Sequence, residues 1–298
     1  MDSENIKIYR DDFEDRVSIV VKNRQKRPIT DLNDICPFCP GGVEFQNSTG
    51  CYFFKNRFPA MEKDNCEVVV YSQSHHSRFS DLSESEIAEI VELWKNRTAY
   101  FSQKKDVKYV LIFENSGAEV GATISHPHGQ IYAFDFIPKI PLHEIKQDLC
   151  VMCNDIDDKL KLLETDSFVA YIIMAASYPF ELTIRSKSHV SSLTNLNEAE
   201  TIDLAYVLKT VITALSNVFS SPMPYMLWIH QGILDDAYVD KTHLHIHICG
   251  LYRSNNTLRY IAAGELGSGV MFNPIDPYDA CLMLNEQITG TANNRNRI

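Results

Sequence analysis

Residues 188–200 (SHVSSLTNLNEAE) repeat, 114 positions later, the pattern of residues 74–86 (SHHSRFSDLSESE). The same offset separates two C-x-x-C pairs, Cys36–Cys39 and Cys150–Cys153. Two independent motifs at one spacing indicate a tandem duplication. We therefore predict one module used twice, with halves 1–140 and 141–298 that form one continuous fold.

Each repeated block is followed by an amphipathic helical pattern, at 87–100 and at 201–218, that opens with acidic residues suited to a helix N-terminus. Each half then ends in a strand-like run with paired histidines. The predicted class is α+β, an antiparallel sheet with packed helices. The predicted strands are Glu67–Tyr71, Tyr109–Glu114, Ile131–Phe136, Phe168–Met174, Tyr225–His230 and His243–Cys249.

Composition excludes several classes of protein. The 298 residues carry 28 basic and 39 acidic side chains, a net charge of −11, which argues against broad nucleic-acid binding. With 45% hydrophobic residues the chain can bury a large core. No apolar run reaches the roughly 18 residues that span a bilayer, and the N-terminus lacks an apolar signal region. We expect a soluble, cytoplasmic protein.

The spacing of the cysteines favours metal sites over disulfides, because C-x-x-C pairs bind metals in reducing compartments. The duplication supplies two histidines for each pair, completing two Cys2His2 sets of the kind that binds zinc. His75 is preferred over His76 because only His75 keeps the register with His189. Chance pairing, a redox role, or helix capping by these histidines are the alternatives. The two sets are Cys36, Cys39, His75 and His126, and Cys150, Cys153, His189 and His243.

The segment His126-Pro127-His128-Gly129-Gln130 points to catalysis. Side chains repeat every two residues along a strand, so His126 and His128 share a face. If a metal holds His126, His128 is fixed beside it with one ring nitrogen able to attack. The preceding segment 115–125 is rich in small residues, which suits the close approach of phosphates. A buried strand histidine beside an ordinary glycine turn is the alternative.

The run His243-Leu244-His245-Ile246-His247 has the pattern of histidine-triad nucleotide hydrolases. The second half could therefore be the active one. Against this, three acids precede the run at Asp235, Asp236 and Asp240, and they would repel a phosphate. A structural metal is the favoured use of these histidines.

From about Ile19 to Leu282 the chain resembles the hexose-1-phosphate uridylyltransferase family, the transferase branch of the histidine-triad superfamily. The motifs that carry the resemblance are RQKRP at 24–28, CPFC at 36–39, NRFPA at 56–60, FENSG at 113–117, HPHGQ at 126–130 and the histidine-rich strand at 243–247.

The resemblance implies a role for each site residue. His128 would be the nucleophile that takes the nucleotidyl group, and Gln130 would hydrogen-bond the transferred phosphoryl group. Near the C-terminus Arg259 would contact a phosphate and Glu265 a sugar hydroxyl. The implied substrate-binding set is Arg24, Arg27, Asn56, Arg57, Asn115, Gly117, Ala122, Thr123, Arg259 and Glu265.

Two family patterns compete for the second metal. One is an iron-type site, which here would be Glu144, His230, His245 and His247. The other, found in the branch with ADP-glucose phosphorylase, is the second Cys2His2 zinc set. We favour zinc, and two zinc ions per chain, because thiolates bind zinc strongly. The resemblance also implies a homodimer and a role in galactose or other carbohydrate metabolism.

The implied reaction is a ping-pong transfer of a nucleoside monophosphate between a nucleotide sugar and a hexose 1-phosphate. A glutamine at 130 can hydrogen-bond but cannot protonate a leaving group, which favours transfer between phosphates over hydrolysis. Arg57 and the run 121–125 depart from the galactose enzymes, while residues 178–181, 267–269 and 273–274 look more like ADP-glucose phosphorylase. Base and sugar therefore stay open.

Three other functions remain as alternatives. An ADP-glucose:phosphate adenylyltransferase would use inorganic phosphate as its acceptor, and a dinucleoside polyphosphate phosphorylase also uses the H-x-H-x-Q pattern. The third, from a different class, is a non-catalytic zinc-bound protein that binds nucleotides.

Overall fold

A computed structural model describes residues 6–11, 13, 15–21, 35–61, 64–75, 77–146, 149–232, 234 and 236–295. Arg24, Arg27 and His76 lie outside the described residues. Within the part of the chain that is described, no helix combines the length and the apolar character needed to cross a membrane.

The centre of the fold is a nine-stranded antiparallel sheet in the order β3-β4-β6-β5-β10-β11-β9-β8-β7, accompanied by two small two-stranded sheets. The strands are β1 Ile6–Asp11, β2 Arg16–Val21, β3 Tyr52–Lys55, β4 Cys66–Val70, β5 Tyr109–Ser116, β6 His128–Phe134, β7 Lys161–Glu164, β8 Phe168–Ile172, β9 Phe180–Ser186, β10 Tyr225–His230, β11 His245–Gly250, β12 Tyr252–Ser254 and β13 Thr257–Leu258. The helices are α1 Glu84–Ser102, α2 Lys139–Glu144, α3 Glu198–Asn217, α4 Ala263–Ser268 and α5 Pro277–Arg295.

The strand order records the duplication. The first half contributes β3-β4-β6-β5, and the second contributes the equivalent strands in reverse, β10-β11-β9-β8, with β7 added at the edge. Ile112 pairs directly with Ile229, its own equivalent at the offset of 117, so a pseudo-twofold axis passes between them. The predicted α+β class, an antiparallel sheet with packed helices, is confirmed, whereas the division at residue 140 stays a prediction.

Helices α1 and α3 begin at equivalent capping boxes. Ser83 accepts a hydrogen bond from the Glu86 N–H, and the Glu86 carboxylate accepts one from the Ser83 N–H. Asn197 and Glu200 make the same reciprocal pair, 114 positions later. Each box satisfies N–H groups that the first turn of a helix leaves without partners. Both helices therefore start three residues before the predicted 87 and 201.

The main core lies between the sheet and the packed helices α1 and α3. The inward face of α1 buries Ile87, Ile90, Val91 and Trp94. In β6 the residues Ile131 and Ala133 belong to this core. Because side chains alternate along a strand, the even-numbered residues of β6 face the opposite side of the sheet.

Several predicted boundaries were wrong. The first histidine of each pair lies before its strand, since β6 begins at His128 and β11 at His245. The Leu244 N–H donates to the carbonyl of Val190 instead of to a neighbouring strand of the sheet. The elements that were not predicted are strands β1, β2, β3, β7, β9, β12 and β13 and helices α2, α4 and α5.

A buried ion pair joins α1 to β4. Arg97 makes two hydrogen bonds to the Glu67 carboxylate, at 2.8 Å from Nε and 2.6 Å from Nη2. Its guanidinium also lies over the rings of Phe53 and Tyr100, with 3.9 Å and 4.1 Å to the ring centroids. Glu67 is 3% exposed, and its carboxylate makes this ion pair with Arg97 at 2.6 Å.

Replacing Arg97→Leu should lower the free energy of unfolding by about 3–5 kcal/mol, because it leaves a buried carboxylate uncompensated. Urea denaturation measures the change. The double variant Glu67→Gln/Arg97→Leu should recover part of the loss, since no buried charge remains. Lys139→Met, which breaks the exposed pair with Asp15, serves as the control and should have little effect. Equal effects of the two single variants would contradict the assignment.

Candidate active site

The first Cys2His2 set forms a tight cluster at the entry to β6. The ligand atoms of Cys36, Cys39, His75 and His126 all lie within 4.8 Å of one another. The Sγ of Cys39 is 3.3 Å from His75 Nδ1 and 3.5 Å from His126 Nδ1. Zinc–sulfur and zinc–nitrogen bonds at a tetrahedral angle predict a sulfur–nitrogen separation of about 3.6 Å. The cluster therefore fits a tetrahedral metal.

The remaining nitrogens of these histidines have partners of their own. His126 Nε2 is 2.7 Å from the carbonyl oxygen of Ser72, and His75 Nε2 is 3.1 Å from Ser125 Oγ. Such contacts fix the tautomer of a metal-binding imidazole. Burial lowers the pKa of His126, and burial together with the neighbouring Cys36 raises the pKa of Cys39 to about 11.

The second Cys2His2 set repeats this geometry. His243 Nδ1 lies 3.5 Å from the sulfurs of both Cys150 and Cys153, and His189 Nδ1 lies 3.3 Å from Cys153. His243 Nε2 contacts the Ser186 carbonyl oxygen at 2.9 Å, as His126 contacts Ser72. The duplication therefore preserves two clusters that could hold a metal.

A third cluster lies on β10 and β11. The imidazoles of His230, His245 and His247 have nitrogens within 4.8 Å of one another. A carboxylate oxygen of Glu144 is 2.7 Å from His230 Nδ1 and 3.7 Å from His245 Nε2. Burial raises the pKa of Glu144, but the hydrogen bond with His230 and the charges of the neighbouring histidines together outweigh burial and lower the pKa below its ordinary value. This set shares no residue with the second Cys2His2 set, so the two patterns do not exclude each other.

His128 lies on the sheet face opposite the helices, at the start of β6. Its Nδ1 is 2.8 Å from the carbonyl oxygen of His126, which fixes the proton on Nδ1 and leaves the lone pair on Nε2. Phe38, held in the C-x-x-C loop, packs edge-on against both rings, with centroids 5.8 Å from His126 and 5.3 Å from His128. The first cluster thus holds the two groups that orient His128.

Gln130 follows on the same face of β6 and is buried. Its Oε1 accepts a hydrogen bond from Asn56 Nδ2 at 3.2 Å and another from the Tyr132 hydroxyl at 3.3 Å. Tyr132 was not singled out from the sequence. Its position, two residues after Gln130 on one strand, was the signal that could have identified it.

Two cavities share walls formed by Thr123, Ile124 and His128. The larger, about 610 Å³, is also lined by Asn115, Gly117 and Ala122. The smaller, about 120 Å³, also takes in Asn56, Arg57 and Gln130. Three aromatic rings complete the smaller cavity, those of Phe38, Phe54 and Phe58. Most of the described residues expected to bind substrate therefore meet around His128.

Arg57 lies at the rim of the smaller cavity, with an exposed side chain 4.0 Å from the Glu44 carboxylate. Burial raises the pKa of Glu44, and the charge of Arg57 opposes that rise. A cation and an anion thus face each other where the smaller cavity opens.

Arg259 and Glu265 lie apart from both cavities. They form a buried ion pair in which Arg259 Nη1 is 3.2 Å from Glu265 Oε2, and a second contact joins Arg259 Nη2 to Oε1. Glu265 also accepts the N–H groups of Ala262 and Phe272. These backbone hydrogen bonds, and then Arg259, lower the pKa of Glu265 to about 2. In this chain the two residues bind each other.

A buried carboxyl that the sequence did not flag lies below the site. Glu114 on β5 accepts a hydrogen bond from the Tyr225 hydroxyl at 2.7 Å, and the Tyr71 hydroxyl is the other polar group beside it. Burial raises the pKa of Glu114 to about 7. A Cβ at Gly129 would overlap the Tyr71 hydroxyl, which explains the glycine between His128 and Gln130.

Comparison with known proteins gives a consistent relationship. Residues 59–138 match the family model for the N-terminal domain of galactose-1-phosphate uridyl transferase. The galactose-1-phosphate uridylyltransferase of Thermotoga maritima is 33% identical over 299 residues, which covers 90% of this chain and 94% of that protein. A solved uridylyltransferase structure superimposes with a TM-score of 0.86 at 28% identity, covering 95% of this chain and 98% of that one. The structure of an ADP-glucose phosphorylase from Arabidopsis thaliana, solved with bound ADP-glucose, superimposes with a TM-score of 0.76 at 25% identity. The match covers 94% of this chain and 98% of that one.

Glu114 makes the stability depend on pH. Its pKa rises from 4.5 to about 7 on folding, so the unfolded chain loses this proton first as the pH increases. Stability should therefore fall between about pH 4.5 and 7, and then level off. The side chain of Glu114→Gln stays neutral at every pH. The free energy of unfolding of this variant, relative to that of wild type, should therefore rise by about 3 kcal/mol between pH 4.5 and pH 7.

Urea denaturation of both proteins at pH 4 and pH 8 measures this difference. Glu286→Gln, which removes an exposed carboxylate from α5, is the control and should run parallel to wild type. A parallel course for Glu114→Gln as well would contradict the buried neutral carboxyl.

Proposed function

The chain belongs to the galactose-1-phosphate uridylyltransferase family, and we propose that it transfers a nucleoside monophosphate, uridylyl in the first instance, between a nucleotide sugar and a hexose 1-phosphate. The observation that carries the proposal is His128, whose Nδ1 is tied to the His126 carbonyl while the ring borders both cavities. That arrangement prepares Nε2 as a nucleophile toward a phosphorus atom.

The first half-reaction forms a covalent intermediate. The Nε2 lone pair of His128 attacks the α-phosphorus of the nucleotide sugar, and a phosphorus–nitrogen bond forms. The bond from that phosphorus to the bridging oxygen breaks, and its electron pair leaves with the sugar 1-phosphate. The imidazole becomes positively charged, and the hydrogen bond from Nδ1 to the His126 carbonyl stabilises that charge.

The second half-reaction reverses the first with a new acceptor. A phosphate oxygen of the second hexose 1-phosphate attacks the same phosphorus, and the phosphorus–nitrogen bond breaks. The electron pair returns to His128 Nε2, which restores the enzyme. Neither half requires a proton to be delivered, because each leaving group is a stable anion or the neutral imidazole.

Gln130 suits this reaction better than a histidine would. Its amide can donate a hydrogen bond to the phosphoryl oxygens, but it has no proton to give to a poorer leaving group or to take from water. The equivalent residue of the second half is His247. The half with glutamine is therefore the one we assign to transfer.

The two cavities suggest how the substrate divides. The aromatic rings of the 120 Å³ cavity suit a planar base, with the charged side chain of Arg57 at its rim. The 610 Å³ cavity would take the phosphates and sugar. There the segment from Gly117 to Gly121 turns through two positive φ angles, 108° and 81°, and the N–H groups of Val120 and Gly121 donate to carbonyls inside this turn. The two glycines would let a phosphate come close to the backbone.

A second candidate is ADP-glucose:phosphate adenylyltransferase activity. It is favoured by the second Cys2His2 cluster and by the motif of Asn273, whose side chain donates to the carbonyl oxygens of Ala176 and Tyr178. These contacts join the two segments that resemble the phosphorylase branch. Arg57, which replaces an acidic residue beside the uridine pocket of the galactose enzymes, also bears on the choice of base.

The metals that fit these clusters are two zinc ions per chain, held by the two Cys2His2 sets. Zinc in such a set supplies a structural cross-link and no reactive group. At the first set it would hold the C-x-x-C loop to His126 and so fix the carbonyl that orients His128. Thiolates of this kind persist in a reducing compartment, which supports a cytoplasmic location.

A homodimer is the proposed assembly. The segment around α4 exposes a group of large apolar side chains that nothing in the described chain covers, a pattern typical of protein interfaces. Their exposed fractions are Tyr260 76%, Leu266 69%, Val270 56%, Met271 36% and Phe272 67%. The buried pair of Arg259 and Glu265 lies beneath this segment and would hold it in shape.

Incubation with UDP-glucose labelled at the α-phosphate should give a protein adduct that is labile in acid and stable in base. His128→Ala should lose the adduct because the attacking nitrogen is gone. His143→Ala, on the exposed end of α2, is the matched control and should retain it. Stronger labelling from ADP-glucose would favour the second candidate, and no labelling from either nucleotide sugar would contradict the covalent mechanism.

Metal analysis should find two zinc ions per chain. Cys36→Ser and Cys150→Ser should each remove one, since a set of three ligands binds zinc more weakly. Cys281→Ser, which changes a buried cysteine outside all three clusters, should keep both. One zinc and one iron, with the iron lost in His247→Ala, would instead assign the second metal to Glu144, His230, His245 and His247.

A further inference from the structure

We propose that Asn56 and Tyr132 act on the reaction through Gln130, by fixing which end of its amide meets the phosphoryl group. They are positioning residues in this sense, and the inference rests on the proposed function. It differs from the nucleotide-binding role that the resemblance implies for Asn56, and Tyr132 has no implied role.

The orientation follows from one group that can only donate. The backbone N–H of Phe58 lies 2.9 Å from the side-chain oxygen of Asn56. A backbone N–H cannot accept a hydrogen bond, so the atom of Asn56 that faces it must be Oδ1. The other end of the Asn56 amide, Nδ2, is then a donor, and it faces Gln130 at 3.2 Å.

The donor at Asn56 determines the orientation of the Gln130 side-chain amide. The atom it meets must be an acceptor, which is Oε1. The Tyr132 hydroxyl reaches the same oxygen at 3.3 Å and donates a second hydrogen bond. Both lone pairs of Oε1 are thereby used, and the NH2 group becomes the end of the amide that a ligand can use.

Catalysis depends on whether the donor or the acceptor end of the Gln130 amide faces the phosphoryl group. A phosphoryl oxygen accepts hydrogen bonds and is repelled by another oxygen. With the opposite amide orientation, Oε1 of Gln130 would face the phosphoryl group and raise the energy of the transition state. Fixing the amide beforehand keeps a donor aimed where negative charge develops and avoids a reorientation during the reaction.

The surroundings hold the donors in place. Gln130 and Tyr132 lie two residues apart on β6, and the Tyr132 ring packs edge-on against Phe113 at 4.8 Å. The backbone N–H of Asn56 donates to the carbonyl of Cys66 at 2.8 Å, which anchors the end of β3 beside β4. The two donors thus come from different parts of the sheet and converge on one oxygen.

Two variants test the inference. Asn56→Asp replaces the NH2 donor with a carboxylate oxygen, so the Gln130 amide should turn its nitrogen toward position 56 and its oxygen toward the ligand. The rate of labelled adduct formation should fall by about 10²–10³-fold. Tyr132→Phe removes one of the two hydrogen bonds, and the rate should fall by about tenfold or less. KM for the nucleotide sugar should change little in either variant.

A double-mutant cycle separates action through Gln130 from direct binding. In a Gln130→Ala background there is no amide to orient, so adding Asn56→Asp or Tyr132→Phe should cause little further loss. Losses that multiply, or a raised KM in Asn56→Asp, would show that the residues contact the substrate directly and would overturn the inference. Tyr278→Phe removes a hydroxyl that donates to Asp157 outside the site and is the matched control, with wild-type rates expected.

Two readouts keep the outcomes distinct. Urea denaturation shows whether each variant is folded, and Tyr132→Phe carries the test alone if Asn56→Asp is not. If wild type forms the histidine adduct but the rate losses of the single variants multiply in the double variants, only the positioning role fails. If wild type forms no adduct, the proposed function fails and the inference falls with it.

Discussion

One hydrogen bond sets the chemistry of the site, that from His128 Nδ1 to the carbonyl oxygen of His126. It fixes the tautomer with the proton on Nδ1, and in the proposed reaction it would give the developing imidazolium a partner. The carbonyl is fixed in turn because the His126 side chain belongs to the first Cys2His2 cluster, 87 residues from Cys39 along the chain. A distant loop thereby lies next to the segment that holds His128, the residue that we propose as the nucleophile. The buried Glu114 and Tyr71 below Gly129 support the same strand from the helix side of the sheet.

The two halves show how one geometry serves different ends. His245 repeats the hydrogen bond of His128, with its Nδ1 2.7 Å from the His243 carbonyl. Its Nε2, however, faces Glu144, and His230 and His247 lie around it. Burial lowers the pKa of His245 to about 4, so the ring is neutral as a metal ligand requires. Two residues after these histidines the halves differ, with Gln130 in the first and His247 in the second. The first half has an open cavity at this place, and the second has a cluster of histidines.

Much of this architecture was predictable because duplication gives each motif a second appearance. The Cys2His2 sets, the helix starts near Ser83 and Asn197 and six strands were found from pattern and spacing. What the sequence could not reveal depends on contacts between distant elements. Arg259 and Glu265 are residues of the kinds that contact phosphates and sugar hydroxyls, yet they form a buried ion pair with each other. Glu114 is an ordinary strand residue in the sequence, and only the fold brings the Tyr225 hydroxyl to it. The donors to Gln130 come from the residue after β3 and from β6.

The pairing of Ile112 with Ile229 at the pseudo-twofold axis has a consequence for how the chain is made. When the first half leaves the ribosome, β5 is an edge strand, and its partner β10 is synthesised more than a hundred residues later. Until then its N–H and C=O groups are a template for wrong partners, including another nascent chain. The seam that makes the two halves one sheet is therefore also an unpaired strand edge for as long as the second half is still being synthesised.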